Sequence, residues 1–290
     1  MHFFLASVRA ASLKRKSTCS WSRTLLAHSR SIRLFEEDAP GRTLKTIKHM
    51  LRTVGILLVI YIVLVAIIYF RQRSILYFPS HATISTALVP WLDAGHTIGY
   101  CRQAPIPDTI WLMMHGNAGQ AADRDYVLHC MSEKDALYVL EYPGYGSREG
   151  NPSLQSMNQA ASKAYQLLRS RNPNTPVCVL GESVGSGPAC ALALPPDKIV
   201  LVVPFDSLVK VASRHYPFLP VRYMLRDAWD NVESLKHYAG PVEIFGATGD
   251  SIIPIEHARA LASRIPNSRF HAIEGGHNDW SEDHRVRIQR

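Results

Sequence analysis

The stretch Val177-Cys-Val-Leu-Gly-Glu-Ser-Val-Gly-Ser-Gly187 constrains the fold more than any other part of the chain. Val177 to Leu180 is an apolar, β-branched run that stops at Gly181, as a buried strand does. Beyond Gly187 and Pro188, the residues Ala189, Cys190, Ala191 and Leu192 suit a helix packed against a sheet. The turn between them, Gly181-Glu-Ser-Val-Gly185, has the G-x-S-x-G spacing that lifts a serine out of a sheet on a strained strand-to-helix turn. Glycine on both flanks leaves room for close approach of strand and helix. The helix that follows points its N-terminus at the place where negative charge would develop. A plain glycine-rich turn also satisfies the five-residue pattern; the strand before it and the helix after it count against that reading.

The formal charge of +8 raises the question of nucleic acid, and its location answers it. Residues 1–52 hold 11 Lys/Arg and 3 Asp/Glu, which leaves 21 of each sign in the rest of the chain. A neutral folded part lacks the electrostatic footprint of a nucleic-acid binder. The five cysteines, Cys19, Cys101, Cys130, Cys178 and Cys190, show no C-x-x-C or Cys/His ligand spacing. Cys178 and Cys190 flank the turn and read as buried thiols.

Three parts are expected. Residues 1–49 are basic and Ser-rich, with no acid before Glu36, and resemble a transit peptide in composition. Met50 as the true start is an equally open reading, since Met50-Leu-Arg before an apolar run has the form of a signal-anchor. Val54 to Phe70 carries no charge and no polar face, so residues 51–71 are expected to be a transmembrane helix. Arg71 and Arg73 follow at once and no A-x-A-like site intervenes, which favours an uncleaved anchor over a signal peptide. Lys45, Lys48 and Arg52 before the span, against Arg71 and Arg73 after it, predict a cytoplasmic N-terminus and a large domain on the outer side, periplasmic or lumenal.

Residues 75–282 alternate short apolar runs with amphipathic stretches, the pattern of an α/β domain with a mainly parallel sheet and helices on both faces. Strands are expected at Thr109–Met114, Ala136–Leu140, Ile199–Val203, Val242–Phe245 and Arg269–Ile273. A helix is expected over Leu154–Leu168 and another over 259–265.

A serine becomes a nucleophile when a histidine takes its proton and an acid orients that histidine. In a sheet of this kind the groups gather at the carboxyl ends of strands, in the order Ser, acid, His. Asp250 follows Val242–Phe245 through Ala247-Thr-Gly249, and His277 follows Arg269–Ile273 through Glu274-Gly-Gly276. Asp206, past the preceding strand, is a rival acid, whereas Asp279 sits too near His277 to reach behind it. His271 alternates within a strand and His284 lies in a charged tail. An oxyanion needs backbone N–H donors. Val184, directly after the serine, supplies one; the loop His115-Gly-Asn-Ala-Gly119 supplies the other, with Asn117 as the donor and a linking helix expected after it.

Together Leu112-Met-Met-His-Gly-Asn-Ala-Gly119, Glu141-Tyr-Pro-Gly-Tyr-Gly146, Gly181-Glu-Ser-Val-Gly-Ser-Gly187, Gly249-Asp-Ser-Ile-Ile-Pro254 and Gly275-Gly-His-Asn-Asp279 resemble an α/β-hydrolase. The nearest branch is the membrane-anchored serine hydrolases with an HGNAG loop and a GESxGSG elbow. Glu141 stands where such loops more usually carry Asp. The resemblance implies acyl hydrolysis through Ser183, Asp250 and His277, with no metal or organic cofactor. The expected substrate is a small-molecule or lipid acyl ester or thioester, with lipidated proteins as a further class. A peptidase of the same fold, and a non-catalytic scaffold on a hydrolase fold, stay open. Tyr216, Phe218, Leu219, Tyr223, Met224 and Trp229 read either as a small cap over an acyl pocket or, for most of them, as ordinary core.

Overall fold

The computed structural model describes residues 39–290; the expected basic segment, with Cys19, lies largely outside the described residues. The chain divides after Leu64, and Val65–Arg290 forms one compact body. Helix α1, Ala39–Leu76, extends beyond 51–71 at both ends. Its stretch Gly41–Leu76 is long and apolar enough to cross a membrane.

The body is built on an eight-stranded sheet. Its strands are β1 Val89–Asp93, β2 His96–Arg102, β3 Ile110–Met114, β4 Ala136–Leu140, β5 Val177–Glu182, β6 Ile199–Val202, β7 Val242–Ala247 and β8 Ser268–Ile273. In space they run β1-β2-β4-β3-β5-β6-β7-β8. Strand β2 pairs antiparallel with both β1 and β4, and the remaining pairs are parallel. The antiparallel β1–β2 pair was absent from the strands expected above. Its burial is patchy, with Val89 and Leu92 exposed, so it lacks the continuous apolar signal of a central strand.

The central strands carry that signal because both of their faces are covered. In β3, Ile110, Leu112 and Met114 enter one core while Trp111 and Met113 enter the other. In β5, Val177 and Val179 alternate in the same way with Cys178 and Leu180. Helix α2, Leu154–Arg171, covers the first face with Met157, Ala160, Ala161, Ala164, Tyr165 and Leu168. Ser153 caps it, its hydroxyl accepting from the Ser156 amide at 3.1 Å.

Two expected helices differ. The linker after the His115 loop, Ala121–Cys130, is a broken 3-10 segment with non-helical backbone at Asp123 and Arg124. The helix after Ser183 is only a 3-10 turn, Ser183–Gly185, followed by the five-residue α3, Ser186–Cys190. It ends before Leu192 and is too short to contribute much of a dipole. The rest are α4 Leu208–His215, α5 Val221–Met224, α6 Asn231–Leu235 and α7 Ile255–Ala262. Of these, α7 begins four residues earlier than expected.

The last turns of α1 are fastened to the body. Arg73 forks onto the buried Asp227 carboxylate at 2.9 and 3.0 Å, and the Tyr77 hydroxyl donates to the same group at 3.1 Å. Gln72 donates to the Met224 carbonyl at 3.1 Å and accepts from the Arg226 amide at 2.8 Å.

Candidate active site

Parallel pairing brings the carboxyl ends of the strands into register: Met114 lies beside Gly181, Glu182 beside Val202, and Ile273 beside Ala247. The loops leaving those ends therefore meet. Ser183 sits at φ +52°, one of three non-glycine residues with positive φ among the described residues. That left-handed backbone costs free energy and turns the hydroxyl out of the sheet. Room for it comes from the flanking glycines. A Cβ on Gly185 would lie 2.1 Å from the Met114 carbonyl oxygen, and one on Gly181 would lie 2.8 Å from Ala189 Cβ. Gly185 thus admits the end of β3, while Gly181 admits the helix.

His277 Nε2 is 2.8 Å from Ser183 Oγ, and its Nδ1 is 2.7 Å from Asp250 Oδ2. The other Asp250 oxygen accepts from the amides of Ile252 and Ile253, both at 2.8 Å. With both oxygens engaged, the carboxylate is held in one orientation. The acid and histidine loops are tied together by the Gly249 amide on the Gly275 carbonyl at 2.9 Å. Asp279 shapes the histidine loop from within, accepting from the Gly276 amide at 2.8 Å.

The rival acid is occupied elsewhere. Asp206 takes His257 Nδ1 at 2.8 Å, the Lys210 ammonium and the Ser207 amide at 2.8 Å. Burial raises its pKa, but these three donors outweigh it and hold it at about 2. A carboxyl depressed in the fold stabilises it above its unfolded pKa, near 3.8, and loses that contribution as pH falls through about 2. Asp206→Asn is therefore expected to lower the urea midpoint at pH 6, and the gap from wild type should close on approach to pH 2.

Asn117 and Val184 line the same cavity as Ser183, and neither amide is a donor among the loop hydrogen bonds. The loop around Asn117 is braced. Tyr145 donates to the Asn117 carbonyl at 2.8 Å, and the Asn117 side chain donates to the Leu76 carbonyl at the end of α1.

Glu182, unassigned in the sequence reading, braces the loop from below. Its carboxylate accepts from the Gly116 amide at 2.8 Å, Tyr126 Oη at 2.7 Å and Trp280 Nε1 at 2.9 Å. Burial pushes its pKa up, yet Arg124 and these donors win and hold it below the ordinary value. Its place directly before the serine was the available signal. Glu182→Gln removes the counter-charge to Arg124 and leaves one amide hydrogen facing donors. The expected cost is about 3 kcal/mol, read as a lower thermal midpoint. Glu141 is likewise buried, accepting from the Ala121 amide at 3.1 Å beside the His115 ring.

The four described cysteines are free and buried. Burial pushes Cys178 up to about 12, which keeps it an unreactive thiol. Among the described residues no group of three or more His, Cys, Asp or Glu is arranged to hold a metal. Trp229 is core, but Phe218 and Tyr223 are 87% and 82% exposed and Tyr216 is half exposed, so ordinary core does not describe those three.

No family model matches the chain. The uncharacterized protein Rv2307c of Mycobacterium tuberculosis is 30% identical over 234 residues, spanning 73% of this chain and 82% of that one. MT2364, from another strain of that organism, is 30% identical over 237 residues, 74% and 83% of the two chains. The zebrafish lysophosphatidylserine lipase ABHD12 is 28% identical over 215 residues, 61% of this chain and 56% of that protein. Among solved structures, TT1662 of Thermus thermophilus superposes with a TM-score of 0.51 at 17% identity, over 69% of this chain and 93% of that one. The Pyrococcus furiosus esterase Pf2001 gives 0.52 at 12% identity, over 70% and 90%. The chain has the α/β-hydrolase fold and belongs to one family with the mycobacterial proteins. Within that fold Ser183 follows β5, Asp250 follows β7 and His277, which bonds to both, follows β8.

Proposed function

We propose that this α/β-hydrolase is a membrane-anchored serine hydrolase that cleaves carboxylic esters or thioesters. The observation that carries the proposal is the unbroken path from Ser183 Oγ through His277 to Asp250, at 2.8 and 2.7 Å, on a serine with left-handed backbone. Ser183 attacks the acyl carbonyl while His277 Nε2 takes its proton. Asp250 holds Nδ1–H, fixing the tautomer and stabilising the imidazolium. The Asn117 and Val184 amides receive the oxyanion. His277 then protonates the departing alcohol or thiol, and water, activated by the same imidazole, releases the acid from the acyl-enzyme. No step calls for a metal or an organic cofactor.

The cavity over Ser183 is about 520 Å³, the size of a small-molecule site, and Phe205, Leu208, Val211, Ile252 and Ile253 among its walls favour an apolar acyl group. The ester and lipid chemistry in the names of Pf2001 and ABHD12 supports the same substrate class. Lys45, Lys48 and Arg52 ahead of the apolar run support a cytoplasmic N-terminus with the hydrolase body on the outer side. A fluorophosphonate probe tests the activity: wild type in detergent is expected to label covalently, and Ser183→Ala to lose all labelling. A well-folded wild type that resists the probe would support a non-catalytic scaffold instead.

A further inference from the structure

An apolar groove of about 210 Å³ opens beside the cavity over Ser183. One wall is the end of α1, with Ile68 and Ile75; the other is the segment after α4, with Leu219, Val221, Met224 and Leu225. Groove and cavity share Ile75, Leu76, Ala212, Tyr216 and Leu225, so one continues into the other. The wall is rigid where it matters, because Arg73 and Tyr77 are locked on Asp227 and Gln72 on the Met224–Arg226 backbone. Ile68 also belongs to the uncharged run Val54–Phe70, so the groove begins on the surface that suits hydrocarbon. The exposed Tyr216, Phe218 and Tyr223 rim the same segment, as aromatic side chains do at a bilayer interface.

We propose that this groove is the acyl-chain subsite, so that the anchor helix itself forms one wall of the substrate site and sets selectivity for long chains. The proposal rests on the esterase reading above. The occupant is the distal part of a long, unbranched acyl chain whose carbonyl lies at Ser183. A short acyl group ends within the cavity; a long one continues along Ile75 and Leu225 toward Ile68, where residues 68–76 offer about 12 Å of helix. Each methylene buried there strengthens binding by about fourfold.

The test uses the full chain in nanodiscs of ether-linked lipid, which carry no ester to compete, with p-nitrophenyl butyrate and palmitate as substrates. Leu219→Trp and Met224→Trp, two groove residues that do not line the cavity over Ser183, fill the slot from one side. Each is expected to lower the palmitate-to-butyrate ratio of kcat/KM at least tenfold, while fluorophosphonate labelling of Ser183 reports an intact centre. Met224→Ala, which widens the slot and cannot clash, is expected to shift the ratio toward palmitate. Unchanged ratios in all three variants, in a wild type that does hydrolyse esters, would overturn the subsite and leave the activity standing. A wild type that hydrolyses neither ester would overturn the activity and the subsite with it.

Discussion

Asp250→Asn is expected to lower kcat by about 10⁴-fold with little change in KM, whereas Asp206→Asn should stay within a few fold of wild type. The contrast follows from what each carboxylate touches. Asp250 holds His277 Nδ1 at 2.7 Å while Ile252 and Ile253 fix its second oxygen. An asparagine keeps the shape but presents either an amide hydrogen or a weaker acceptor, and the imidazole then favours the tautomer whose Nε2 carries a proton. That nitrogen can no longer take one from Ser183. Asp250 touches the imidazole and two backbone amides and does not line the cavity over Ser183, so KM is expected to be spared. Asp206 belongs to a separate cluster with His257 and Lys210. Steady-state kinetics on a p-nitrophenyl ester decide between them: loss of turnover in the Asp206 variant alone would reassign the acid.

Gly185→Ala is expected to cost about 3 kcal/mol or more, a fall of roughly 6–12 °C in thermal midpoint, and to abolish labelling of Ser183. The added Cβ would lie 2.1 Å from the Met114 carbonyl oxygen and 2.6 Å from that of His115. Both are backbone atoms, and Met114 is anchored in the ladder between β3 and its neighbours, so neither yields as a side-chain tip would. Relief requires moving the elbow or the loop carrying Asn117, and either motion separates the serine from the proposed oxyanion donors. Gly55→Ala is the control, because nothing lies within 4 Å of a Cβ there. A Gly185 variant with wild-type stability would mean that the elbow is looser than its contacts indicate.

The inner parallel strands were legible because each is largely buried on both faces, and a strand with two apolar faces reads as a nearly unbroken hydrophobic run. The elbow was legible for a related reason: its glycines answer to contacts within a few residues or at the next strand end. The edge strand β1 and its neighbour β2 are partly exposed, and the broken 3-10 linker answers to packing rather than to periodicity, so neither left a clear pattern. The short α3 was overestimated because Ala191 and Leu192 are as compatible with a loop as with another helical turn.

Which side chains touch was a matter for the fold. Asp206 and Asp250 both follow strand ends, and no local property separates them; β6 and β7 emerge side by side, and only the position of the β8 loop gives His277 to Asp250. The partners of Glu182 come from Gly116, Tyr126 and Trp280, at sequence separations of 66, 56 and 98 residues. Asp227 is matched with Arg73 across 154 residues in the same way. Strand identity and the serine turn are short-range properties, written in neighbouring residues through steric preference and burial. Pairings between charged and polar groups over such distances depend on strand order, which emerges only when the whole sheet has assembled.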